Sequence, residues 1–262
     1  MTARIKTYIE TIKEIYGEYM GKENLQRLND IKDYGECVFI KRYGEVNAFA
    51  TKEGVFLPVD GYDTIEQLKM FEEYGKDKCH KLYTDETLVI NENTFYDYIK
   101  HVVLTASSVE DYYEDLLLHE TMHFCGSGGG SALKEGINEY LTRKTALKNG
   151  FRTSACGYPK EVKVAYELEK IFGERIIDKI AFIKNEENML QFIENEKGKE
   201  ARKLFEKIML EMGKEFHYKY HSHMREYNGV EGIKKKADNY KKIDYSKTYV
   251  LIEKYKKKNM RK

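Results

Sequence analysis

Long hydrophobic segments and closely paired cysteines are both missing from this chain of 262 residues. Its longest apolar runs span only a few residues, so a transmembrane helix, which needs about 20, is excluded. The four cysteines, Cys37, Cys79, Cys125 and Cys156, contain no C-x-x-C pair and indicate reduced thiols rather than a disulfide framework. No apolar targeting segment is visible at the start of the chain. We therefore expect a cytoplasmic protein.

The net charge of +1 conceals a basic C-terminal segment. Residues 231–262 hold 12 Lys/Arg against 4 Asp/Glu, whereas the preceding 230 residues hold 33 against 40. Such a tail can contact nucleic acid, anionic lipid or the acidic body of its own molecule. Because no aromatic-rich RNA motif or zinc-finger spacing accompanies it, we expect a solvated terminal helix and no nucleic-acid partner.

Hydrophobic periodicity predicts an α+β fold with a small N-terminal, mainly antiparallel sheet and a mostly helical C-terminal part. Short strands are expected at 37–43, 45–51 and 54–59, joined by tight turns at Tyr43-Gly44 and Glu53-Gly54. The other expected elements are a helix at 3–20, a helix at 63–74, a strand at 87–91, and helices at 93–106, 109–125, 131–149, 159–172, 174–184 and 198–224. Residues 1–108 would form an N-terminal subdomain and residues 109–262 a helical one, as two lobes of one catalytic domain.

The segment His119-Glu120-Thr121-Met122-His123 has the H-E-x-x-H pattern of zinc metallopeptidases. On a helix, His119 and His123 lie one turn apart on one face, where two neutral imidazoles can bind one divalent cation. Glu120 is then placed to take a proton from a metal-activated water. Leu116 to Leu118 and Phe124 flank the motif and predict a buried helix, in which these polar groups need a partner such as a metal.

A catalytic zinc site normally has a third protein ligand, and three arrangements are possible. The metzincin pattern would need His at position 129, which is Gly, and the inverted pattern H-x-x-E-H does not occur. The third arrangement places a glutamate on a following helix. The glycine-rich segment 124–131 can reverse the chain for this, because glycine accepts left-handed backbone angles and Ser131 can cap the next helix.

The stretch Glu135-Gly136-Ile137-Asn138-Glu139-Tyr140 resembles the N-E-G-x-x-E-Y sequence of gluzincin metallopeptidases, the thermolysin and aminopeptidase clan. The resemblance implies a zincin-like fold in which His119, His123 and Glu135 bind Zn²⁺ and Glu120 is the general base. It also implies that Glu139 supports a metal-bound histidine. Two features depart from the family: 11 residues separate His123 from Glu135, fewer than is usual, and Lys134 stands where Asn is common. Glu139 therefore stays an alternative third ligand.

The function implied is zinc-dependent hydrolysis of peptide bonds in a peptide or protein substrate. Tyr158 is the first candidate for stabilising the tetrahedral intermediate and Tyr166 the second. His217, His221 and His223 are further candidates for that role; as a cluster we expect them to be solvated. Cys125 is expected to serve packing.

Two questions of function stay open at this point. The exopeptidase motif G-x-M-E-N is absent, which favours an endopeptidase. The alternative function is a non-catalytic, zincin-fold binding or regulatory protein that retains a structural metal.

Overall fold

Helices dominate the computed structural model, which describes residues 2–41, 48–58, 109–151, 158–219, 235 and 238–259. The α-helices with full bounds are α1 (Thr2–Tyr16), α2 (Lys22–Asn29), α3 (Val109–Phe124), α4 (Ala132–Asn149), α5 (Pro159–Phe172), α6 (Glu174–Ala181), α7 (Glu186–Lys197), α8 (Lys199–Lys219) and α9 (Ser246–Asn259). Two 3₁₀ helices span Gly17–Tyr19 and Tyr34–Cys37, and the strands are β1 (Val38–Lys41), β2 (Phe49–Ala50) and β3 (Val55–Pro58). This is an α+β arrangement with one small sheet.

Most helices in the described part begin and end close to the predicted positions. Helix α6 ends three residues before the predicted boundary, and α2 and α7 were not predicted. The signals for α7 were nevertheless present. Asn185 caps its N-terminus by accepting a hydrogen bond from the amide of Asn188, and Met189, Leu190 and Ile193 turn inward. The predicted elements at 63–74, 87–91 and 93–106 lie outside the described residues.

The described sheet is mixed, so the prediction of a mainly antiparallel sheet is wrong for these strands. Strand β3 lies between β1 and β2, parallel to β1 and antiparallel to β2. The predicted tight turn at Tyr43-Gly44 falls outside the described residues, and β1 does not pair with β2. Strand β3 is apolar and takes the central position, because Val55, Phe56 and Leu57 are buried there between β1 and β2. Gly54 permits the approach to β1, since a Cβ at this position would lie 2.5 Å from the carbonyl oxygen of Cys37.

One hydrophobic core connects the described N-terminal elements with the helical part. It contains Ile9 and Ile12 of α1, Leu57 of β3 and Leu118 of α3, together with buried residues of α4 to α9. The described elements on both sides of the predicted boundary at residue 108 therefore contribute to the same core.

The close packing of α4 on α5 depends on a glycine. A Cβ at Gly136 would lie 2.5 Å from Cβ of Glu161 and 2.7 Å from its carbonyl oxygen. Glu161 is itself fully buried, and its carboxylate accepts hydrogen bonds from Tyr240, at 2.5 Å, and from Tyr245. Burial raises the pKa of Glu161, while these hydroxyls act in the opposite direction. The contact thus joins α4, α5 and the segment before α9 in one packed layer.

The basic C-terminal helix lies on the acidic body of the molecule. Lys256 of α9 pairs with Glu167 of α5 at 2.7 Å, and Lys258 pairs with Glu200 of α8 at 3.1 Å. Thr248 and Ile252 of α9 are buried. The helix is therefore packed on one side rather than wholly solvated. No described helix combines the length and apolar character that a membrane crossing requires.

The packing at Gly136 predicts a loss of stability on adding a single methyl group. We expect Gly136→Ala to lower the free energy of unfolding by about 1–3 kcal/mol, because backbone and Cβ atoms of Glu161 block the new methyl. Gly213→Ala is the matched control, since its Cβ would meet nothing within 4 Å on α8. The control should gain about 0.4–1 kcal/mol. Urea unfolding of both variants measures this, and equal stabilities would contradict the packing role of Gly136.

Candidate metal centre

Helices α3 and α4 carry the candidate site and are joined by the glycine-rich turn 125–131. Gly126 and Gly130 adopt left-handed angles, with φ of +110° and +85°. Ser131 caps α4 by accepting a hydrogen bond from the amide of Lys134. Arg27 and Asn24 of α2 donate to the carbonyls of Phe124 and Cys125 and so hold the end of α3. The turn brings the first turn of α4 back against His119 and His123.

Three ligand atoms converge between the two helices. They are contributed by His119, His123 and Glu135, and all lie within 4.8 Å of one another. Glu135 Oε2 is 3.3 Å from His123 Nε2 and 3.6 Å from His119 Nε2. Ligand atoms about 2.0–2.1 Å from a tetrahedral zinc are about 3.3–3.4 Å apart. The two separations measured from Glu135 are therefore close to those expected around one cation, and the three atoms lie near enough to share it.

The two glutamates of α4 make different contacts with the histidines. Glu139 Oε2 lies 2.8 Å from His119 Nδ1, a normal length for a charge-assisted hydrogen bond. The contacts of Glu135 are longer than such a bond and lie on the Nε2 side of both rings. The geometry thus favours Glu135 as the third ligand and Glu139 as the residue that orients His119.

A buried chain of charges stabilises this arrangement. Arg143, almost fully buried, donates from Nε to Glu139 Oε1 at 3.0 Å, and Glu139 holds His119 through its other oxygen. Burial raises the pKa of Glu139, but the Arg143 charge and the His119 hydrogen bond outweigh it and leave this pKa lowered. Arg143 was missed by the sequence reasoning, although its position four residues after Glu139 is the spacing of a helical ion pair.

Protonation of His119 opposes metal binding. Burial lowers the pKa of His119, but its hydrogen bonds with Glu135 and Glu139 more than compensate, so this pKa lies well above its usual value. In the metal-free protein the ring therefore keeps its proton to a higher pH than a free imidazole. A metal requires neutral histidine, so binding must displace this proton and becomes stronger as the pH rises.

Asn138 and Ser127, which the sequence reasoning also missed, contact the two histidines and connect α4 with the turn. Asn138 donates from Nδ2 to the carbonyl of His119 at 3.3 Å, and the same nitrogen lies 3.3 Å from His119 Nε2. Its Oδ1 accepts a hydrogen bond from the Ser127 hydroxyl. Ser127 Oγ lies 3.3 Å from Nδ1 of His123. Nδ1 of each ring is thus directed to a protein acceptor, while Nε2 of both rings faces Glu135 and that of His119 also lies beside the Asn138 amide.

Gly129 is required by the closeness of the ligands. A Cβ at this position would lie 2.8 Å from Glu135 Oε1 and 3.0 Å from His123 Cε1. The neighbouring amide of Gly130 donates to Glu135 Oε1 at 2.9 Å, which leaves Oε2 directed at the histidines. The glycine turn therefore shapes the site as well as reversing the chain.

The ligand atoms face a cleft of about 550 Å³. Glu120 and Tyr158 line it together with the three candidate ligands, residues 127–130, and residues 48–52 around β2. Glu120 is 7% exposed. Burial raises its pKa, and the adjacent histidines partly offset this. Glu120 is thus a buried carboxyl group beside the ligands that is accessible from the cleft.

Tyr158 stands at the N-terminus of α5, next to the site. Its ring centroid lies 5.8 Å from that of His119 and 5.9 Å from that of Phe216. It has left-handed angles, with φ of 54°, immediately before Pro159 begins α5. A non-glycine residue in this region is strained, and such strain is concentrated at functional sites.

The remaining candidates are not found in the described cleft. Tyr166 lies on α5 against Tyr140, and His217 is exposed on α8. His221 and His223 lie outside the described residues. Cys125 is buried in the hydrophobic core, where burial raises its pKa, in line with the expected packing role.

Comparisons with protein-family models, curated proteins and solved structures return no match to this chain. The interpretation of the site therefore depends on its own residues and geometry.

The ligand assignment predicts the metal content of single variants. His119→Ala, His123→Ala and Glu135→Ala should each abolish stoichiometric zinc binding, because two remaining side chains do not complete a site. Glu139→Gln should bind zinc about 10- to 100-fold more weakly, since it only orients His119. The control His217→Ala should bind zinc normally. Calorimetric titration with zinc measures these affinities, and full zinc binding by His119→Ala would rule out the site.

Proposed function

We propose that this chain is a zinc-dependent metallopeptidase of gluzincin type, with a zincin-like fold, that acts as an endopeptidase. The observation that carries the proposal is the convergence of ligand atoms from His119, His123 and Glu135, all within 4.8 Å of one another, at the wall of a cleft. Three protein ligands and an open fourth position distinguish a catalytic zinc site from a closed structural one. Glu120 adds a base that a structural site does not need.

Hydrolysis requires a base, an acid and a donor for the developing oxyanion. A bound zinc ion would supply Lewis-acid polarisation of the scissile carbonyl and lower the pKa of the attacking water. Glu120 takes the proton from that water and delivers it to the nitrogen of the leaving amine. The raised pKa of Glu120 suits this exchange, because a carboxyl group with a higher pKa holds the transferred proton more readily. Tyr158 is the candidate donor to the oxyanion.

The sheet offers a place for an extended substrate. Strand β2 is at the edge of the described three-stranded sheet, and residues 48–52 line the same cleft as the ligands. An extended peptide can add to such an edge through backbone hydrogen bonds. The strand predicted at 87–91 is another candidate for this role, and it lies outside the described residues. In the described part, β2 is the strand that fits it.

Removing the base should separate metal binding from activity. Glu120→Gln keeps the size of the side chain but cannot accept the proton, so we expect zinc to be retained and peptidase activity to fall by about 10²- to 10⁴-fold. The measurement combines zinc analysis with mass-spectrometric detection of products from a mixed peptide library. If the wild-type zinc protein leaves every peptide intact, the peptidase proposal fails and the non-catalytic, metal-retaining alternative gains support.

The assignment of Tyr158 predicts a selective loss of turnover. Tyr158→Phe removes the hydroxyl but keeps the ring contacts with His119 and Phe216, so kcat should fall about 100-fold or more with little change in KM. Tyr166→Phe is the matched control on the same helix and should behave as wild type. A Tyr158→Phe enzyme with normal kcat would exclude this hydroxyl as the oxyanion donor.

A further inference from the structure

One side of the metal cleft is lined by three cationic residues. These are Arg27 of α2, Lys52 in the turn between β2 and β3, and Lys184 in the loop after α6. The carboxylates that line the described cleft are Glu120 and Glu135, which belong to the metal site. Among the described residues, this side of the cleft therefore carries three positive charges next to the candidate catalytic groups.

Hydrogen bonds to backbone carbonyls hold the segments that carry Lys52 and Lys184. Arg27 donates from Nη1 to the carbonyl of Lys52 at 3.1 Å. The buried Lys134 donates to the carbonyls of Ile183 and Lys184. The amide of Gly128 donates to the carbonyl oxygen of Ala181 at 2.7 Å. Lys134 is the residue that departs from the family pattern, and here it fixes the loop that carries Lys184. The position of each lysine is thus tied to elements that shape the metal site.

The charges on this side are not neutralised by nearby carboxylates of the described chain. Arg27 donates to the side chain of Asn24 and to backbone carbonyls, which are neutral. Neither Lys52 nor Lys184 has an ion pair with a described residue. Several surface lysines differ in this respect, since Lys13, Lys170 and Lys214 each pair with a glutamate three positions before them.

Clustering of like charges is unfavourable in the folded protein. Burial lowers the pKa of Lys184, and the charges of Arg27 and Lys52 lower it further. An anion placed among the three groups would relieve this repulsion and gain their attraction, more strongly inside a cleft than in open solvent. Lys52 and Lys184 are both exposed to solvent, so salt should screen their attraction for an anion.

We propose that Arg27, Lys52 and Lys184 form a subsite for a carboxylate of the peptide substrate, so that the enzyme selects peptides with an acidic group at a fixed distance from the scissile bond. The inference rests on the proposed function, because it takes a peptide as the ligand. The carboxylate has two sources, an Asp or Glu side chain within the peptide or the free C-terminus. An internal side chain agrees with an endopeptidase, and a C-terminal carboxylate would make the enzyme a carboxypeptidase.

Binding can be measured without turnover by using zinc-loaded Glu120→Gln protein. Three fluorescent peptides share one neutral sequence: the first has an internal Glu and an amidated C-terminus, the second has a free C-terminus, and the third is neutral and amidated. We expect the first or the second to bind more tightly than the third, with the difference shrinking as salt screens the charges. The peptide that binds best identifies the source of the carboxylate.

Neutralising the lysines should remove this preference. In the Glu120→Gln background, Lys52→Gln and Lys184→Gln should each weaken binding of the preferred peptide by about three- to five-fold and leave the neutral peptide unchanged. Lys197→Gln is the matched control, because Lys197 is exposed at the far end of α7, about 18 Å along the helix axis from its start. The control should keep the full preference.

The outcomes distinguish this inference from the proposed function. Equal binding of all three peptides, no binding of any, or a preference that survives loss of both lysines would overturn the carboxylate subsite. Cleavage sites of wild-type protein in the peptide library give an independent readout, because a subsite predicts an acidic group at one fixed offset. Cleavage without such an offset would contradict the subsite and leave the peptidase intact. A lysine-dependent preference without cleavage by the wild type would support the subsite and contradict the peptidase.

Discussion

The hydrogen bond between His119 and Glu139 is the interaction on which the candidate site depends. It connects α3 to α4, directs Nδ1 of His119 away from the cleft, and leaves Nε2 facing Glu135. The charge of Arg143 lowers the pKa of Glu139 against the effect of burial, which raises it. Because the partners are buried, removing one would leave a charge without compensation in the interior, which is far more costly than losing a surface pair. The packing of α3 against α4 therefore sets the positions of the candidate ligands.

This packing extends well beyond the ligands. Gly136 brings α4 against α5 next to Glu161, and the tyrosines that hold Glu161 come from the segment before α9. On the other side, Arg27 of α2 binds the end of α3 and the turn after β2. Residues far apart in the sequence thus set the position of the same two helices. The candidate site is thus supported by packing on both sides, which is what a metal centre with a fixed coordination geometry would require.

The sequence carried enough information for the helices of the site but not for all of their partners. The H-E-x-x-H spacing and the glycine turn are local patterns, so α3, α4 and the proximity of Glu135 follow from short-range rules. The strand order does not, because the insertion of β3 between β1 and β2 is a long-range choice decided by burial of the apolar strand. Lys134, Asn138 and the three cations of the cleft were also missed. Their roles depend on which segments meet in space, and nothing in their own sequence neighbourhood indicates it.

The glycine at position 129 has a consequence for the kind of ligand set that this loop can accept. Position 129 is where a metzincin would have its third histidine, yet here even a Cβ atom would lie 2.8 Å from Glu135 Oε1 and 3.0 Å from His123 Cε1. A histidine there would displace both of these candidate ligands. The shape of the loop therefore suits a candidate site completed by a glutamate of the next helix, and it opposes one completed by a side chain of the loop itself.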